Sequence, residues 1–193
     1  MKSAIQGGMM LLLLATANSA SAQKPVASGT VKEGMLSFDA KATAGDFVGS
    51  TKAVTGELTG AETLAGVRGW VEARTDSLTT GNDHRDRDMK QKSMETDKFP
   101  TMRFDLTGVT STAESGDSIP VTLSGKLTIH GESRDVQLPG TVLFHAGEVR
   151  LRSDFPLNVT DYKVGSLSRF LGMFKMNPDI VVHVDVTFAA KAG

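Results

Sequence analysis

A chain of 193 residues with 21 Lys and Arg, 22 Asp and Glu and no cysteine has the size of one nearly neutral domain. A net charge of −1 argues against nucleic acid or an anionic bilayer as the main partner. Without cysteine there are no disulfides, thiolate metal sites or cysteine nucleophiles. At the N-terminus, Lys2 is the only charge ahead of the apolar run from Met9 to Ala17, and Ala20-Ser21-Ala22 follows. The run is shorter than the roughly 20 apolar residues that span a bilayer. A positive start, a short apolar middle and small residues at its end predict a signal peptide over 1–22, cleaved behind Ala22. The remaining 171 residues carry a net charge of −2 and no transmembrane segment, so a soluble periplasmic or secreted domain is expected. Residues 23–34 are polar and read as a flexible lead-in, and 35–190 as the folded domain.

Beyond the lead-in, apolar residues alternate with polar ones. Leu36, Phe38, Ala40 and Ala42 share one parity against Ser37, Asp39 and Lys41. Val121, Leu123, Leu127 and Ile129 do so over 121–130, and Val149, Leu151, Phe155 and Leu157 over 148–157. Ile180, Val182, Val184, Val186 and Phe188 follow the same rule over 179–188. Successive side chains of a strand point to opposite faces, so each run is a strand with one dry side. Weaker runs at 47–58, 66–77, 101–109 and 135–145 bring the count to about eight, with turn residues between. Phe38, Phe47, Phe104, Phe144, Phe155 and Phe188 mostly fall on dry faces, where core packing is the ordinary reading and lining a ligand cavity the alternative.

Two segments depart from this pattern. Residues 82–95 are densely charged and lack Gly and Pro. They predict a short helix or lid, with Asn82 or Asp83 as N-cap and Met89 and Met94 turned inward. In 165–178, Leu167, Phe170, Leu171 and Phe174 fit one helical face, and Gly172 interrupts it. Phe170, Met173 and Phe174 are therefore placed in a cover able to adapt to a mobile guest, methionine being flexible. Eight strands with one dry side each need a shared interior, in a sandwich or a closed barrel. An eight-stranded barrel is either filled by side chains or wide enough for one small ligand, and the pattern does not choose.

Motifs for chemistry are missing. There is no G-x-S-x-G, no H-E-x-x-H, no P-loop and no G-x-G-x-x-G. The cluster Asn82–Asp88 alternates acids with Arg85 and Arg87, which would oppose a cation, and the four histidines lie on separate segments. No metal and no cofactor are expected.

Four blocks of sequence resemble the YceI-like family. The longest reads Ser77-Leu78-Thr79-Thr80-Gly81-Asn82, then Arg85-Asp86, Met89-Lys90, Lys98-Phe99-Pro100-Thr101 and Phe104. Another runs from Gly125-Lys126-Leu127-Thr128-Ile129-His130-Gly131 to Arg134-Asp135-Val136. Arg152-Ser153-Asp154-Phe155 is the third, and Ser37-Phe38 with Gly45-Asp46-Phe47-Val48-Gly49 the fourth. The resemblance covers about residues 35–188. It implies an all-β fold, an eight-stranded antiparallel lipocalin-like barrel, with one or two short helices covering the mouth. It further implies an exported protein that binds a long isoprenoid or other lipid-like chain inside the barrel. No catalytic residue is carried over.

On this reading an apolar cavity is lined by Phe38, Phe47, Met89, Phe104, Leu127, Ile129, Phe144, Leu151, Phe155, Val182 and Val184, with Phe170, Met173 and Phe174 from the cover. Arg85, Arg87 and Lys90 would meet a head group at the rim. Each buried CH₂ is worth about 0.8 kcal/mol, or roughly 4 kcal/mol per isoprene unit. Association costs on the order of 4–15 kcal/mol, so about four or five units, in a long dry tunnel, are needed. The alternative function is a side-chain-filled barrel acting through its outer surface in an envelope stress role. An enzyme with a polar cavity ranks below both.

Overall fold

A computed structural model describes residues 28–60, 64–111, 118–145, 148–165, 167–169 and 174–190. The expected signal peptide, and Phe170 and Met173 of the expected cover, lie outside the described residues. The strands are β1 (Gly29–Ala40), β2 (Phe47–Thr51), β3 (Val54–Thr59), β4 (Arg68–Arg74), β5 (Thr101–Thr110), β6 (Ser118–Ile129), β7 (Glu132–His145) and β8 (Glu148–Asn158). Two short strands follow, β9 (Ser168–Arg169) and β10 (Phe174–Lys175), and then β11 (Asp179–Ala190). Each of β3 to β8 pairs with its chain neighbour, β8 pairs with β11, and β11 closes on β1. The result is an eight-stranded antiparallel barrel, with β2 as an additional short strand on β1. Closure leaves the eight strands without an open edge, the usual route to chain-to-chain pairing.

Alternation sets the inward face of each strand, and three irregularities shift its phase. On β1 the pairing with β11 slips between Val31 and Glu33. Val31 therefore packs into the core with Leu36, although the two differ in parity. This bulge hides the first third of β1 from a period-two reading. The strand starts at Gly29, inside the segment expected to be a flexible lead-in, because Gly29 and Thr30 pair with both β11 and β3. The run expected at 47–58 is likewise broken at Lys52–Ala53. There Thr51 Oγ1 accepts from the Ala53 backbone N–H at 3.0 Å, and inward residues change from Thr51 to Val54. A third slip lies between Leu106 and Gly108 on β5. Bulges of this kind bend and twist strands and so help a sheet to close.

The described ends of the segment 167–174, for which the spacing suggests a helix, are extended. Ser168–Arg169 and Phe174–Lys175 pair as an antiparallel ribbon. Thr43 N–H donates to the Lys175 carbonyl at 3.0 Å, and Asn177 N–H to the Lys41 carbonyl at 2.8 Å. Pairing with the chain beyond β1 satisfies these backbone groups, and it outweighs a helical spacing that Gly172 already weakens. Among the described residues the one α-helix is α1 (Asp83–Asp88), which continues into a π-helical turn over Met89–Ser93.

Buried side chains form two clusters stacked along the barrel. At the end away from α1, Val186 and Phe188 are fully buried among Leu106, Val109, Val121 and Val149. Leu64 and Val67, ahead of β4, pack against the same cluster. At the α1 end the second cluster holds Phe38, Leu127, Ile129, Phe155, Tyr162 and Val182.

Candidate functional site

The mouth of the barrel is built from the segment between β4 and β5. Asn82 is the N-cap: its Oδ1 accepts from the backbone N–H groups of His84 and Arg85 at 3.1 and 3.0 Å. That satisfies two of the donors that a helix start leaves unpaired. Asp86 is buried and ties α1 to the barrel wall. Its carboxylate accepts from Thr79 Oγ1 at 2.7 Å and from the Thr80 N–H and hydroxyl at 2.8 and 2.5 Å. Burial alone would raise the Asp86 pKa; the hydrogen bonds from Thr80 and Thr79 and the nearby Lys90 outweigh it and hold the carboxyl below its ordinary value. With this anchor in place, Met89 and Met94 turn into the barrel.

Behind the lid lies a cavity of about 580 Å³, within the roughly 300–1,000 Å³ of small-molecule sites. Its walls come from all eight barrel strands. Of the residues expected to line it, Phe38, Phe47, Met89, Phe104, Leu127, Ile129, Leu151, Phe155, Val182 and Val184 all do. Phe144 does not; it packs against the cluster at the far end, below the cavity. Phe174 lies on β10, and its side chain is outside the description. The Phe38 ring lies over Gly49, where a Cβ would stand 2.3 Å from the ring, so a glycine opposite is required for this pose.

The cavity is a blind pocket rather than a tunnel. Leu127 and Leu123 line it on β6, whereas Val121 does not; Ser153 and Leu151 line it on β8, whereas Val149 does not. Ser153 is the polar side chain buried in this wall. Its hydroxyl donates to the Pro139 carbonyl at 2.6 Å, which leaves the wall effectively apolar.

Polar groups gather at the rim. Arg85 lies with its guanidinium carbon 4.1 Å from the Phe47 ring centroid. Its Nε and Nη2 donate to the Thr80 hydroxyl and carbonyl at 2.8 and 3.0 Å. His84, Asp88 and Lys175 also reach the lining. Of the other expected head-group residues, Arg87 is exposed and Lys90 half-buried, and neither lines the cavity. Arg103 touches the lining, but its guanidinium stacks on Trp70 and pairs with Asp105 at 2.8 Å.

Several wall residues were not singled out from the sequence. Leu36, Leu123, Leu157 and Ile180 carry the alternation signal and could have been. Lys175 and Val164 could not, since only the fold brings their segments to the mouth. Among the described residues no group of three or more His, Asp or Glu is placed to hold a metal ion. Nor is any helix there long and apolar enough to cross a membrane.

A closed antiparallel barrel with an apolar pocket beneath a helical lid is the architecture of lipocalin-like binding proteins. Residues 24–188 match the family model of the YceI-like domain, and the chain belongs to that family. Solved structures share the fold at low identity. A polyisoprenoid binding domain from Saccharophagus degradans, implicated in plant cell wall breakdown, is 16% identical with a TM-score of 0.71, over 86% of this chain and 100% of that one. BcnA from Burkholderia cenocepacia is 15% identical with a TM-score of 0.68, over 80% and 95%. The Campylobacter jejuni YCEI protein is 17% identical with a TM-score of 0.57, over 97% and 94%. No curated protein matches the chain.

Proposed function

We propose that this protein is an exported carrier that holds a long isoprenoid or other lipid-like chain in its barrel, with a polar or anionic head group left at the rim. The unfilled apolar cavity carries the reading. Empty apolar space costs a fold roughly 24 cal/mol per Å³. A chain that acted only through its outer surface would gain by filling it, and larger side chains at a few wall positions would suffice. A solved relative described as a polyisoprenoid binding domain supports the same ligand class. Arg85 at the rim suits a phosphate or other anionic head, with Lys175 and His84 beside it.

Catalysis has little support in this arrangement. Charged lining groups sit at the rim or, like Arg103, are engaged outside the pocket, and Ser153 is held to a backbone carbonyl. Export rests on the N-terminal pattern, and N-terminal sequencing of protein from an envelope fraction should begin at Gln23. For carriage, protein purified from its native envelope without detergent should yield an isoprenoid or similar lipid on organic extraction and mass spectrometry. Protein that emerges lipid-free, and takes up none from native membrane extracts, would sink the reading.

A further inference from the structure

The lining stops part-way along every barrel strand, at a register that differs from strand to strand. The deepest lining residues are Leu36, Val71, Phe104, Leu123, Leu151 and Val184. One inward position further along, β11 places Val186, and then Phe188 packs opposite Val149 of β8. Both β11 side chains are fully buried, within the cluster that holds Leu106, Val109, Val121 and Val149.

Two measures of the space above this floor agree. A methylene has about the volume of a water, roughly 30 Å³; a cavity of about 580 Å³ therefore holds about 20 carbons. On β8 the lining runs from Leu157 at the mouth to Leu151 at the floor. Six residues of strand span about 20 Å, or roughly 15 Å along the axis of a barrel whose strands tilt by about 40°. An extended isoprene unit adds four carbon–carbon links of about 1.5 Å, close to 5 Å once zigzag is allowed for. Depth accommodates about three extended units, and volume about four.

The geometry points to a chain-length limit set by this floor: the pocket encloses about four isoprene units, and Val186 and Phe188 stop the tail. This rests on the carrier reading above. A longer prenyl chain leaves its surplus outside the mouth, in contact with water, a membrane or a partner. Val184 and Leu123, on separate strands at the floor, are the specificity-setting positions.

Linear prenols of two, three, four, six and eight units, each delivered on a cyclodextrin carrier, can be titrated against the full-length protein by displacement of a fluorescent apolar probe. Affinity should rise at least tenfold per unit up to about four units and change less than threefold from four to eight. Val184→Phe and Leu123→Phe should each move the break to about three units, with folding checked by circular dichroism. If no prenol of any length binds, the carrier reading itself fails. Binding that keeps rising to eight units, or breaks at two, overturns the limit while leaving carriage intact. A break that stays at four units in both folded variants overturns the placement of the floor. Should neither variant fold, the wild-type series alone decides.

Discussion

Asp86 holds the lid through three hydrogen bonds, and a buried donor that loses its acceptor costs about 1–3 kcal/mol. Asp86→Ala should lower stability by that order in urea titrations at neutral pH. The Asp86 carboxyl is held below its ordinary value, so its contribution is fully present above the usual carboxylate range. It is lost as the pH falls through the depressed value. The stability gap between wild type and Asp86→Asn should accordingly close in acid, and a gap that widens there would contradict the anchor. His183 titrates in the opposite sense. Its Nδ1 faces Asp154 of β8 at 2.5 Å and its Nε2 faces Asp39 of β1 at 3.3 Å, on the outer face where the barrel closes. The bond to Asp154 is the main reason its pKa is raised. Folding then gains most below about pH 6.5, and the gain fades as the pH rises past the raised value. His183→Gln should be less stable than wild type near pH 5.5, by less than about 1 kcal/mol for so exposed a group. The two should converge near pH 9 in thermal melts.

Between β6 and β7 the chain reverses in two residues, His130 and Gly131, with φ of 51° and 77°. Left-handed conformation at both centres is what a tight hairpin of the observed twist requires. The turn also supports the lid. The His130 ring packs at a tilt of 55° on Phe99 with centroids 4.3 Å apart, and its Nε2 lies 3.1 Å from Glu95, at the end of the lid segment. A Cβ at Gly131 would come within 2.7 Å of the Phe99 ring. Gly131→Val should therefore cost at least 1–2 kcal/mol in chemical denaturation, and a neutral outcome would refute the strained turn. The lid itself, with its Asn82 cap and inward Met89 and Met94, followed from a charged stretch free of Gly and Pro. The ribbon of β9 and β10 did not follow. Leu167, Phe170, Leu171 and Phe174 have a helical spacing, and only the backbone partners at Lys41 and Thr43 favour strand.

As a whole, the molecule packs one half of its barrel and leaves the other half open. Phe188 is completely buried in the packed half. Phe188→Ala should cost about 3–5 kcal/mol, read as a lower urea midpoint with little change in slope. A guest in the open half stabilises the folded state by mass action. At a hundred times its Kd the gain is about 2.7 kcal/mol, which at roughly 2–4 °C per kcal/mol gives a rise in Tm of about 5–10 °C. A four-unit prenol should produce this shift, and a short hydrophilic alcohol should not.

Alternation alone placed the inward faces of β6, β8 and β11, and so put Leu127, Ile129, Leu151, Phe155, Val182 and Val184 on the wall. It worked there because period two is a local property of the backbone, unaffected by which strand lies alongside. It failed at Val31, where a bulge shifts the phase, and at Phe144, which faces inward but below the pocket. Whether the interior would be open or filled was beyond it. Depth along a barrel depends on the stagger of neighbouring strands, and emptiness depends on how side chains from eight of them meet. The local sequence thus determined the inward faces of β6, β8 and β11, the lid's cap, and the family. Tertiary structure decided where the cavity stops, which cations reach its rim and which side chains gather beneath it, because each is set by contacts between residues far apart in the chain.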